Sequence, residues 1–123
     1  MSALILLLYE RVLPGGQLLN QVEDRGYRVE VVSAPSELST VSQRVKPMLV
    51  LADLDGEGVE VKKAIRELGA SEETSHIPVI AYGVRDEPGE LESVQKAGAT
   101  LVVTDAAVLA HLDQLMEQAL HIE

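Results

Sequence analysis

At 123 residues, with 46% apolar and 24% charged side chains, the chain has the size and make-up of one globular domain over 1–123, which excludes extended disorder. Twenty acids against ten Lys and Arg leave a formal charge of −10, which repels phosphate backbones and anionic headgroups, so neither nucleic acid nor membrane is an expected partner. The absence of Cys excludes disulfides, thiolate metal sites and cysteine nucleophiles and suits the cytoplasm, and the absence of Phe and Trp makes the core aliphatic.

Ala3 to Leu8 is an apolar run that predicts the first strand; without a basic leader and far too short for a membrane span, it carries no expected targeting signal. Leu18, Leu19 and Val22 share a helical stripe closed by Gly26, with Pro14-Gly15-Gly16 read as the turn leading into it. Tyr27 to Val32 alternates, as an edge strand does. Leu38, Val41 and Val45 predict a second helix behind Pro35, capped by Ser33 and Ser36. Met48 to Ala52 is apolar throughout, as in a strand covered on both faces. Val61, Ala64, Ile65 and Leu68 give a third helix that stops at Gly69, and Ile77 to Tyr82 a fourth strand. Leu91 and Val94 form a short stripe before Gly98, and Thr100 to Val103 is the fifth strand. Val108, Leu112, Leu115, Met116 and Ala119 make the longest stripe, one helix opened by a cap at Thr104 or Asp105. Strand and helix alternate five times, which predicts an α/β fold: a doubly wound, five-stranded parallel sheet with right-handed crossovers.

In such sheets the site lies outside the carboxyl ends of the strands. There the sequence places Tyr9 and Glu10, Asp53 and Asp55, Gly83, and Thr104 with Asp105. Clustered carboxylates can hold Mg²⁺, or one of them can accept a phosphoryl group; the alternative is a set of solvated loop acids. Other signals are weaker. Asp53 to Gly58 begins like a calcium loop, but the twelfth position is Ala64 and the preceding segment reads as strand. His76, His111 and His121 have no partner at metal-ligand spacing, and no Ser-His-Asp set can be assembled.

Several phrases carry a resemblance over nearly the whole chain. Leu4 to Leu8 opening into a loop, Arg25-Gly26-Tyr27, Pro47-Met48-Leu49-Val50-Leu51-Ala52-Asp53, His76-Ile77-Pro78-Val79-Ile80 and Gly98-Ala99 follow one another in the order and spacing of the receiver domains of two-component response regulators, which the sequence resembles. The resemblance implies the flavodoxin-like topology with strand order 2-1-3-4-5, which sets Glu10 beside Asp53. It also implies five signature positions, and only two match: Asp53 falls on the phosphoacceptor and Glu10 on the second acid. Tyr9 stands where the first acid belongs, Gly83 where a Thr or Ser belongs, and Asp105 where a Lys belongs.

Each change has a physical cost for the family's chemistry. Tyr9 removes a carboxylate from a site for a hard cation, leaving Glu10, Asp53 and Asp55 as weak Mg²⁺ ligands if any metal binds; no other cofactor is expected. Gly83 deletes the hydroxyl that would hydrogen-bond a phosphoryl group. Asp105 turns an attraction of about 3 kcal/mol at 5 Å and an effective dielectric of 20 into repulsion. The expected function is therefore a pseudo-receiver: a non-enzymatic signal-transduction module that contacts a protein partner or a second copy through the fourth helix, fifth strand and fifth helix, Pro88 to Ala119, with Ala106, Ala107, Leu109 and Ala110 facing out. The alternatives are a working phosphoacceptor receiver modified on Asp53, and a small-molecule binding domain using the same strand ends.

Overall fold

The computed structural model describes residues 3–9, 12–55, 58–84 and 87–121. Five parallel strands, β1 (Leu4–Leu8), β2 (Arg28–Val32), β3 (Leu49–Asp53), β4 (Val79–Tyr82) and β5 (Leu101–Val103), form one sheet of order β2-β1-β3-β4-β5. The helices between them are α1 (Val12–Asp24), α2 (Leu38–Val45), α3 (Gly58–Ala70), α4 (Glu90–Ala97), α5 (Asp105–Ala110) and α6 (Leu112–His121). The doubly wound architecture and the strand order expected from the sequence are those observed.

Because successive strand side chains alternate, the sheet divides the apolar residues between two cores. Leu6, Leu8, Val50, Ala52, Val79 and Ala81 meet α2, α3 and α4 through Leu38, Val61, Ile65 and Val94. Ile5, Leu7, Leu49, Leu51, Ile80 and Tyr82 meet α1, α5 and α6 through Leu18, Val22, Val108, Leu112 and Met116. The central strands β1, β3 and β4 are buried almost end to end, so each large aliphatic there contributes roughly 1.5–3 kcal/mol. β2 is the half-exposed edge that its alternation predicts.

Five local expectations are corrected. Pro14-Gly15-Gly16 lies inside α1, which already begins at Val12; a proline in a first turn forfeits no helical hydrogen bond. Neither Ser33 nor Ser36 caps α2. A 3₁₀ turn over Pro35–Glu37 precedes it, in which the Glu37 N–H donates to Ala34 O (3.0 Å) and the Leu38 N–H to Pro35 O, so the helix start is satisfied by backbone. Leu91 is 47% exposed, because α4 buries Val94 and Ala97 and turns Glu90 and Ser93 toward Lys62 of α3.

The longest stripe is two helices, not one. His111 leaves helical geometry at φ −128°, ψ 32°, and separates α5 from α6. The Leu109 carbonyl accepts from the Gln21 side-chain amide of α1 at 3.2 Å, while Arg25, in the turn just after α1, binds Asp113 in the first turn of α6. Side chains from the last turn of α1 and from the turn after it thus hold the two lips of the break. Leu109 is accordingly packed against the α1-side core and half-buried, whereas Ala106 and Ala110 face solvent and Ala107 is intermediate.

Candidate functional site

The carboxyl ends of β1 and β3 and the connection leaving β2 enclose a cleft lined by Leu8, Tyr9, Ser33, Pro35, Asp53, Asp55 and Val61. Asp53 is the last residue of β3, in register with Tyr82 on β4, and is only 4% exposed. Its Oδ1 accepts the Asp55 N–H at 2.9 Å, an Asx-type turn that folds the connection back over the strand end and brings the second carboxylate to the cleft. The Leu54 N–H donates to Tyr82 O at 2.8 Å and ties the same turn to β4.

Tyr9 follows β1, its N–H donating to Val32 O at 3.1 Å. Its ring belongs to the core on the α1 side and lies over Gly15, where an added Cβ would reach 2.6 Å from Cε2 and come closer still to Cδ2. The glycine is thus part of the tyrosine's seat, a pairing six residues apart that no helical or strand periodicity announces. Gly83 leaves β4 at φ 79°, in the left-handed region that β-branched side chains rarely enter. The position carries more than a missing hydroxyl, since its backbone conformation disfavours a threonine.

Asp105 is the first residue of α5, and Thr104 is the cap: its Oγ1 accepts the Ala107 N–H at 3.1 Å. An acid in the first turn complements the helix dipole. Asp53 and Asp55 come together in the cleft; among the described residues no group of three or more acids or His is placed to hold a metal ion, and Asp105 is not among the described residues that line the cleft. Glu10 lies outside the described residues. The donor chemistry suits Mg²⁺, which takes oxygen ligands and commonly uses one or two carboxylates with water, so Asp53 and Asp55 are the described residues that would hold it. The cleft leaves about 10 Å³ for the centre of a water-sized sphere, far below the roughly 300–1,000 Å³ of pockets for organic ligands.

No described helix is long and apolar enough to cross a membrane. No protein-family model and no curated protein sequence matches the chain. Solved structures do. The receiver domain of a sensor histidine kinase from Pseudomonas aeruginosa, determined with a magnesium ion coordinated in its active-site cleft, superposes with a TM-score of 0.86 at 20% identity, over 99% of this chain and 100% of that one. The signal receiver domain of a histidine kinase from Syntrophus aciditrophicus gives 0.79 at 21% identity, over 99% and 96%. The chemotaxis protein CheY4 of Vibrio cholerae gives 0.84 at 13% identity, over 97% and 99%. Strand order, element order and these superpositions agree: the chain has the fold of response-regulator receiver domains.

Proposed function

We propose that the chain is a receiver-fold signalling module that acts by binding a protein and not by catalysis, and that Asp53 is not its switch. Gly83 carries this reading. At the end of β4, where the resemblance places a hydroxyl that reports phosphorylation, there is no side chain, and φ 79° disfavours one. Asp105 and Tyr9 add to it: an anion where a cation would neutralise a phosphoryl group, and a ring seated on Gly15 where a metal ligand would stand. Cytoplasmic residence accords with a Cys-free chain.

The contact surface we assign is α4, β5 and α5. Leu91, 47% exposed on the α4 flank away from α3, and the small side chains of Ala106, Ala107 and Ala110 leave this face open to a partner. Incubation with acetyl phosphate and Mg²⁺ is expected to leave the intact mass unchanged. Ala107→Glu or Ala110→Glu is expected to abolish partner binding with thermal stability nearly intact, while Asp53→Asn does little.

A second reading, phosphorylation on Asp53, is favoured by one observation: Asp53 ends β3 inside the cleft with Asp55 beside it. A stable gain of one phosphoryl group that Asp53→Asn removes would establish it in place of the first.

A further inference from the structure

The outer edge of β2 has a charge and hydrogen-bonding pattern that is complementary to itself. The phase of the strand is set by two bonds: the Arg28 N–H donates to Ala3 O at 2.9 Å, and Val32 O accepts from the Tyr9 N–H. In a parallel ladder alternate residues bond to one side, so Arg28, Glu30 and Val32 face β1 and the backbone groups of Val29 and Val31 point away from it. β2 is the end of the sheet, and a recess lined by Leu4, Arg28, Val29, Glu30 and Val45 lies where the beginnings of β1 and β2 meet the end of α2. Edge strands are commonly protected by charges of one sign, which repel a second copy. Here the two charges on the edge are opposite and stand one residue either side of Val29.

We propose that this edge pairs antiparallel with β2 of a second copy of the chain about a two-fold axis at Val29, making one ten-stranded sheet. The two Val29 residues would exchange N–H and C=O, and each Val31 N–H would meet the Tyr27 carbonyl of the other copy. Arg28 then falls opposite Glu30 of the second copy, and Glu30 opposite its Arg28. These are positions that do not share hydrogen bonds, where opposed side chains are closest.

The side-chain faces agree with that register. Tyr27, Val29 and Val31 lie on the α1 side, Val31 42% exposed, so two copies would close a six-residue apolar cluster there. Arg28 and Glu30 lie on the α2 side, where Arg44 binds Glu30 at 2.6 Å. That pair engages Oε2 and leaves the other carboxylate oxygen for a second guanidinium. The contact is isologous and closes on itself, giving a dimer instead of a filament. It is independent of the α4–β5–α5 surface, which it leaves free at both ends of the joined sheet.

Sedimentation velocity over protein concentrations from about 1 to 500 μM tests this, with Arg28→Glu and Glu30→Arg as variants and circular dichroism as the folding control. The wild type is expected to form a species of twice the 13.3 kDa chain mass. Each variant alone places like charges opposite one another twice, and its dimer dissociation constant is expected to rise at least about tenfold. An equimolar mixture of the two restores both attractive pairs, so a heterodimer of wild-type-like affinity should form. A wild type that stays monomeric throughout overturns the proposal. So does a dimer indifferent to both charge changes but lost in Ala107→Glu, which would place self-association on the helical face, and so does a folded variant pair that fails to form the heterodimer.

Discussion

Gly15 illustrates how much one hydrogen atom in place of a methyl group can matter. In an exposed helix, Gly→Ala stabilises by about 1 kcal/mol because the backbone loses less freedom. In α1 the added Cβ would overlap the Tyr9 ring, and the sign should reverse. Gly15→Ala is expected to cost about 1–3 kcal/mol in urea unfolding, and most of that cost should vanish in a Tyr9→Ala background, where nothing remains to be displaced. Ser42 gives the opposite case. Its side chain is fully buried on α2, and its Oγ has no hydrogen-bond partner among the described residues. Ser42→Ala removes an unsatisfied polar atom without opening a cavity larger than an oxygen, so stability should hold or rise by up to about 1 kcal/mol, read as a shift of the urea midpoint at constant slope.

At the scale of elements, the break between α5 and α6 is maintained from outside the helix. A continuous helix would offer the Leu109 carbonyl to the Asp113 N–H; here Gln21 takes the carbonyl and Arg25 takes the aspartate. Gln21→Ala should cost about 1 kcal/mol and speed hydrogen exchange at the start of α6, since a carbonyl loses its partner. The ion pair has a defined pH signature. The hydrogen bond from Arg25 holds the Asp113 carboxyl below the usual carboxylate range, and Asp113 reciprocally raises the Arg25 guanidinium. A lowered folded-state value stabilises the fold above the unfolded-state value and is lost as pH falls through the folded one. The Asp113→Asn variant should therefore differ from wild type near pH 7 and converge with it in acid, and the difference should shrink in salt because both groups are solvent-exposed.

Across the whole molecule, charge is distributed unevenly. In sequence, the connections leaving the carboxyl ends of the strands carry Glu10, Glu37, Asp55, Glu57, Asp86 and Glu87 against Arg11 and Arg85, with Asp53 and Asp105 at the adjoining element ends. On a chain of net charge −10, self-repulsion at that edge opposes folding. Raising NaCl from 10 mM to 0.5 M should lift the thermal midpoint by roughly a few degrees, a screening effect that scanning calorimetry would detect. The absence of such a rise would mean that the acids are compensated within the fold.

The apolar runs and their alternation were enough to determine the five strands, their parallel arrangement and the two-sided burial of β1, β3 and β4, because hydrophobic periodicity is a local property that burial must satisfy. The departures at positions 9, 83 and 105 were equally legible, since a residue's identity can be compared with a pattern without knowing where it points. What depends on contact between distant segments was not. Tyr9 rests on Gly15, the capping of α2 passes to a 3₁₀ turn, Gly83 turns left-handed, and Leu91 is expelled because α4 gives its flank to Lys62. The stripe from Val108 to Ala119 keeps an unbroken helical spacing, yet the helix divides at His111. Periodicity records which face is buried, whereas hydrogen bonds offered from the end of α1 and the turn after it, 88 residues away in sequence, decide whether the backbone remains continuous.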